Sequence, residues 1–172
     1  MKKGKIPTFD VAVLPGDGIG IEIMEVCMRV LEVVQEVNGG FRLLLKTLDA
    51  GANYYQATGE DISKESFEET RASDAILLGA MGLPNIRYPD GTEIATHLRM
   101  RKEFGLFAGV RPVKSYPKLP NTLADSRSKD IDIVILREST EGLFAHANSG
   151  VVEDDRIARD VLEITRSNCE RF

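Results

Sequence analysis

The sequence is poor in the residues that most often announce chemistry. Its 172 residues hold two cysteines, Cys27 and Cys169, and two histidines, His97 and His146. Neither pair has the close spacing of a metal site, and two cysteines make no disulfide framework, which leaves two reduced thiols of a cytoplasmic protein. A positive charge excess is also missing: 22 Lys and Arg against 27 Asp and Glu give a net charge of -5. That balance excludes a non-specific nucleic-acid binder, since nothing offsets phosphate repulsion globally. Long apolar runs are lacking too. The start, "MKKGKIPTFDVAVL", has basic residues but no continuous apolar stretch of the signal-peptide kind. The most apolar helical segment, "IEIMEVCMRVLEVVQEV", is broken by Glu22, Glu25, Arg29, Glu32 and Glu36, so it is no membrane span. There is no internal repeat and no low-complexity segment.

What is present is ordered alternation. "VAVL" (Val11 to Leu14) reads as a buried strand. Ile21 to Val37 repeats apolar residues at helical spacing, and "NGG" ends that helix. "FRLLLKTL" is a second strand, "GANYYQATGED" a loop, and Ser63 an N-cap for a helix "KESFEETRA". "AILLGAMG" is a third strand. Strand–helix–strand–helix–strand predicts an α/β unit with a parallel sheet. The turn-rich "LPNIRYPDG" follows, then a charged helix near Glu93 to Glu103 and strands in "GLFAGVRPVKSY" and "DIDIVILRES". In "DVLEITRSNCERF", Thr165 is a candidate N-cap for a final helix.

Three features could carry chemistry. The loop "LPGDGIG" joins the first strand to the first helix. Its Gly16 and Gly18 match a dinucleotide fingerprint, but the third glycine position falls on Ile21. Asp17 would also set a negative charge where a phosphate would lie. A tight turn explains the glycines and leaves Asp17 without a reason. The second feature is a set of arginines, Arg101, Arg111 and Arg137. The last two stand at or near strand ends, where α/β proteins place ligands. A converging set would bind a di- or tricarboxylate through bidentate pairs, and unrelated surface charge is the alternative. The third is "RESTEG", whose Glu138 and Glu141 read as solvated caps or as acid/base groups. His97 and His146 read as isolated surface or loop residues.

"VAVLPGDGIG", "LDAGANYYQATG", "SDAILLGAMGLP", "RKEFGLFAGVRPV" and "VILRESTEG" together resemble, in order, blocks of the isocitrate/isopropylmalate dehydrogenase family. These are metal-dependent β-decarboxylating dehydrogenases of 2-hydroxy acids, tartrate and D-malate dehydrogenases among them. The resemblance implies their own α/β fold: a parallel or mixed sheet with flanking helices, incomplete in this chain. Residues 1–105 would form the first part of the large domain, and 106–172 the start of a smaller substrate and dimerisation domain. It implies cofactor contacts for Asp17, Gly18 and Ile19 at the nicotinamide end of NAD or NADP. Arg101, Arg111 and Arg137 would grip the carboxylates of a malate-type substrate. The segment Ala95, Thr96, His97 and Leu98 would read the variable substituent, with His97 and Leu98 at the positions where isopropylmalate enzymes use an apolar pair.

Departures from the family accompany the match. Phe144 stands seven residues after Arg137, where the family has a tyrosine used in acid catalysis, and phenylalanine cannot donate a proton. No catalytic residue of the family falls within the chain. The family's lysine base and its Mg or Mn ligands are expected beyond residue 172, and the family is about twice as long. The chain alone is therefore expected to be inactive, and homodimeric when full length. Its implied partner is a small di- or tricarboxylate, with neither nucleic acid nor membrane. A non-catalytic carboxylate-binding subunit, or an inactive fragment, is the alternative reading.

Overall fold

In the computed structural model, residues 6–120, 123–146 and 149–172 are described. The chain divides into two compact units, Met1–Arg99 and Met100–Phe172. The division falls ahead of the residue-105 boundary expected from the sequence.

The first unit is built on β1 (Thr8–Leu14), which lies between β2 (Arg42–Thr47) and β3 (Ala75–Leu78) in the order β2-β1-β3. Both pairings are parallel, with Val11 opposite Leu45 and Val13 opposite Leu77. A parallel strand in mid-sheet is covered on both faces and reads as a continuous apolar run. Val11 to Leu14 are buried without alternation for that reason. Met24 of α1 (Ile19–Asn38) packs with Val11 and Val13, and Cys27, Met28, Leu43, Leu45 and Leu77 surround them. Gly39 stops α1 in a left-handed conformation, and its N–H donates to the Gln35 carbonyl at 2.9 Å.

Two further helices follow, and only one was legible locally. Ser63 caps α3 (Lys64–Ala72), its Oγ accepting from the Ser66 N–H at 3.0 Å. Such a cap contributes about 1 kcal/mol. The expected loop after β2 is instead a helix, α2 (Ala52–Thr58), closed by Gly59. No side chain within that segment caps its N-terminus. The cap arrives from the Asp17 loop, through bonds described below.

α4 (Thr96–Glu103) spans the division. In the second unit, β4 (Ala108–Lys114) and β5 (Asp132–Glu138) form an antiparallel ribbon paired along all seven residues. β6 (Val151–Glu153) and β7 (Ile157–Arg159) make a hairpin that the sequence reading missed. Its turn carries Asp154 and Asp155 at φ 50° and 54°. Aspartate tolerates this left-handed region better than most residues, so "EDD" was the available signal. The chain reaches α5 (Arg166–Arg171) through Thr165, whose Oγ1 accepts from the Asn168 N–H at 3.2 Å. Both cysteines are free. Among the described residues, no helix is long and apolar enough to cross a membrane.

Candidate functional site

In the first unit the loop after β1 is organised around Asp17. Its side chain is only 2 % exposed. Oδ2 accepts from the backbone N–H of Ala52 at 2.8 Å and of Gly82 at 2.7 Å, and Oδ1 accepts from the Asn53 N–H at 2.8 Å. One carboxylate thus joins three loops and supplies the missing cap of α2. The Asp17 N–H in turn donates to the Ala80 carbonyl at 2.7 Å. Charge-assisted bonds of this kind are about twice as strong as neutral ones.

The glycines around Asp17 are dictated by close backbone approach. A Cβ on Gly51, at φ +107°, would lie 2.5 Å from Asp17 Oδ2. One on Gly16, at φ +76°, would lie 2.0 Å from the Ala80 carbonyl oxygen. The loop is therefore a packed junction, as the tight-turn reading expected, and Asp17 has its reason. Of the three residues expected at the cofactor, Asp17 is buried with its carboxylate bonded to backbone N–H groups. Gly18 and Ile19 remain exposed beside it. Next to them, at the C-terminal ends of β1 and β2, a cleft of about 340 Å³ opens between Pro15, Gly16 and Ile21 on one side and Ala50, Asn53 and Tyr54 on the other.

The substrate-reading segment divides in the same way. Thr96 is buried, its hydroxyl donating to the Asp61 carbonyl at 3.3 Å. Ala95 and His97 are half-buried, and Leu98 is 46 % exposed. The next arginine, Arg99, is tied to the Asp61 carboxylate at 3.0 Å and lies 4.5 Å from the centre of the Phe67 ring. Asp61 also bonds Tyr88, whose phenol is held above its ordinary value by burial first and by that carboxylate second.

The second unit presents arginines without such partners. In the ribbon, Arg111 is opposite Ile135 and Arg137 opposite Gly109. Side chains two apart on one strand share a face, as do directly opposed residues. Arg111 and Arg137 therefore stand diagonally on one face, and a Cβ at Gly109 would lie 3.2 Å from the Arg137 carbonyl oxygen. Among the described residues, no carboxylate pairs with Arg101, Arg111 or Arg137. Arg101 lies on α4, and no hydrogen bond joins its guanidinium to the other two. Phe144 is 37 % exposed, and the Arg137 guanidinium carbon lies 5.2 Å from its ring centre. Both line a pocket of about 530 Å³ with Ile164, Asn168 and Phe172.

The acidic residues of "RESTEG" line the same pocket and are bonded into its walls. Glu138 accepts from the N–H groups of Thr140 and Glu141 at 2.8 Å each, and from the Thr140 hydroxyl at 2.5 Å. Burial alone would raise its pKa, but these donors outweigh it and pull the carboxyl down to about 2. Glu141 accepts from the N–H and hydroxyl of Thr165 at 2.8 and 2.7 Å. An acid already bonded this fully is a poor proton acceptor, so the cap reading of both residues fits better than the acid/base one. His146 is not isolated, since its Nε2 lies 3.2 Å from Glu163 Oε2. Among the described residues, no group of three or more His, Cys, Asp and Glu is placed to hold a metal ion.

Residues 10–172 match the family model for isocitrate/isopropylmalate dehydrogenase. The chain is 40 % identical to a 3-isopropylmalate dehydrogenase of Heyndrickxia coagulans, over 94 % of this chain and 45 % of that protein. It is 31 % identical to a probable tartrate dehydrogenase/decarboxylase of Agrobacterium vitis, over 95 % of this chain and 46 % of that one. Among solved structures, a β-decarboxylating dehydrogenase from Thermococcus kodakarensis in its apo form superposes with a TM-score of 0.66 at 37 % identity, covering 95 % of this chain and 42 % of that one. An isocitrate dehydrogenase from Methylococcus capsulatus shares the fold, with a TM-score of 0.72 at 24 % identity over 95 % of this chain and 44 % of that one. The chain spans less than half the length of these relatives.

Proposed function

Since the chain belongs to the isocitrate/isopropylmalate dehydrogenase family, we propose that it supplies the carboxylate-binding and nicotinamide-side parts of an enzyme that oxidises and decarboxylates a 2-hydroxy acid of the malate type. The observation that carries this reading is the pair Arg111 and Arg137, on one ribbon face and without carboxylate partners among the described residues. Each guanidinium can hold a carboxylate by two parallel hydrogen bonds. Arg101 provides a third cation, for a substrate with further negative charge. His97 and Leu98 are the residues that the family resemblance assigns to the substituent that distinguishes isopropylmalate, isocitrate, tartrate and malate.

The cleft beside Gly18 and Ile19 fits the nicotinamide end of a cofactor, which needs close backbone approach and no phosphate cradle. Bound there, NAD or NADP supplies the hydride acceptor for oxidation at C2 of the substrate. Asp17 ties together the loops on the two sides of this cleft through its bonds to Ala52 and Asn53. Phe144 shields the Arg137 side of the pocket from water, and with no hydroxyl it delivers no proton to the reacting carbon. The family's Mg or Mn has no fitting donor set among the described residues, so no step of the chemistry is assigned to it here.

Calorimetric titration of the chain tests the reading, with isopropylmalate, isocitrate, tartrate and malate as ligands and butyrate as a monocarboxylate control. The expected result is salt-sensitive binding of at least one of the four over butyrate, weakened about tenfold or more by Arg111→Lys or Arg137→Lys, since lysine cannot form the bidentate pair. No turnover of these acids with NAD(P) and Mg²⁺ is expected from this chain. Equal affinity for butyrate, or indifference to both substitutions, would overturn the proposal.

A further inference from the structure

The start of α4 is tied to a residue 35 positions earlier in the chain. Asp61 lies in the short bridge between Gly59, which closes α2, and Ser63, which caps α3. Its backbone is fixed there. The Gly51 N–H donates to its carbonyl at 2.8 Å, and Ala50 pairs with Ile62 in an isolated antiparallel bridge. Its carboxylate is almost fully buried. A charge so placed needs partners. Arg99 Nη1 donates to Oδ1 at 3.0 Å, and Tyr88 bonds the same carboxylate. Both partners are pinned in turn. The Arg99 guanidinium stands over the buried Phe67 ring, and the Tyr88 ring meets Tyr55 of α2 edge-on, with centroids 5.1 Å apart.

These bonds converge on both ends of one dipeptide. Thr96, just before His97, donates its hydroxyl to the Asp61 carbonyl. Arg99, just after Leu98, donates to the Asp61 carboxylate. His97 and Leu98 lie between them in the first turn of α4, where the Leu98 N–H donates to the Ala95 carbonyl at 2.9 Å. Successive residues of a helix are rotated by about 100°. Holding residues 96 and 99 therefore fixes the rotation of the turn, and with it the directions of side chains 97 and 98. Stability alone is a weak reason for such a pair. Arg99 is half-exposed, and the cost of burying the carboxylate offsets much of the attraction. A fixed geometry is the clearer gain. The Asp61 carbonyl also takes the N–H of Gly51, next to Ala52 and Asn53, which Asp17 holds. The substituent-reading segment is thereby joined to the wall of the cleft that Asn53 lines.

We infer that Asp61 is a positioning residue for substrate choice: holding Thr96 with its carbonyl and Arg99 with its carboxylate, it sets the geometry of His97 and Leu98 and so which substituent on a malate core is accepted. This role rests on the carboxylate-binding reading above. Calorimetric titration of the 172-residue chain tests it, with malate, which carries no substituent, and with isopropylmalate, tartrate and isocitrate. The parent should discriminate between malate and at least one substituted acid by about tenfold. Asp61→Asn and Arg99→Ala should each cut that ratio to about threefold or less, with malate affinity staying within about twofold of the parent. Retained malate binding reports an intact fold, which a general loss of structure would not leave. Arg99→Lys, which keeps the ion pair, should restore most of the ratio. Independently of any ligand, the Leu98 amide should exchange about tenfold faster in Arg99→Ala, while the Gly39 amide that closes α1 keeps its rate. A ratio unmoved by Asp61→Asn and Arg99→Ala, with binding still weakened by Arg111→Lys, would overturn the inference and leave the carboxylate reading standing. So would equal affinity of the parent for all four acids, an unchanged Leu98 amide, or malate affinity lost together with the ratio, which would make Asp61 purely structural. Binding indifferent to Arg111→Lys and Arg137→Lys would instead sink the carboxylate reading, and this role of Asp61 with it.

Discussion

Asp17 follows β1 and Arg137 sits near the end of β5, each carrying a full charge, and the chain handles the two in opposite ways. Asp17 is 2 % exposed and has three backbone donors around it. Arg137 is exposed, meets an aromatic ring and has no carboxylate partner among the described residues. A charge whose hydrogen-bonding capacity is met from within holds the architecture together. A charge left uncompensated on a sheet face is available to a ligand. The same contrast separates Arg99, held by Asp61, from Arg101 two residues later.

Substitution at Asp17 should break the comparison most forcefully. Asp17→Ala strands three inward N–H groups, each costing about 1–3 kcal/mol. The loss should reach about 3 kcal/mol or more in a urea melt. Asp17→Asn should recover only part of it, because its amide nitrogen would face a donor. A melt unchanged by Asp17→Ala would show that the three-loop junction is not what holds the first unit. Gly51→Ala should follow, at about 2 kcal/mol, from strain at φ +107° and a clash with the same carboxylate. Its effect should shrink in the Asp17→Ala background, since the clashing oxygen is then gone.

How far this was readable beforehand depended on distance along the chain. Ser63 and its helix were plain, because the cap and the amide it bonds are three residues apart. α2 reads as a loop in the sequence because its cap, Asp17, is 35 residues from Ala52. The arginines could be picked out as strand-end charges, but that Arg111 and Arg137 share a face needed the ribbon register. The inward turn of Asp17 was hidden for the same reason as α2. Glycines at positions 51 and 82 reveal their purpose only once the loops meet.

A smaller effect is expected at Glu138. Its carboxyl is held at about 2 in the folded chain, against an ordinary value of 4.5. A depressed folded pKa contributes stability that is complete above the ordinary value and lost as pH falls toward the folded one. Unfolding monitored between pH 5 and pH 2 should therefore show an acid limb, and Glu138→Gln should flatten it. A limb of unchanged steepness would mean that the Thr140 and Glu141 donors do not bind the charged form preferentially.

The smallest change in stability is expected where the ligand-facing reading is strongest. Arg111→Ala removes an exposed side chain with no ion pair, so its thermal midpoint should match the parent, the free-energy change staying within about 0.5 kcal/mol. Arg137→Ala also loses its contact with Phe144, worth about 0.5–1 kcal/mol at an exposed site. If the two guanidiniums repel each other across the ribbon face, the double variant should be more stable than the sum of the single changes, and added salt should erase that surplus. A double variant that instead loses several kcal/mol would make these arginines part of the ribbon's own architecture, and the contrast with Asp17 would fail.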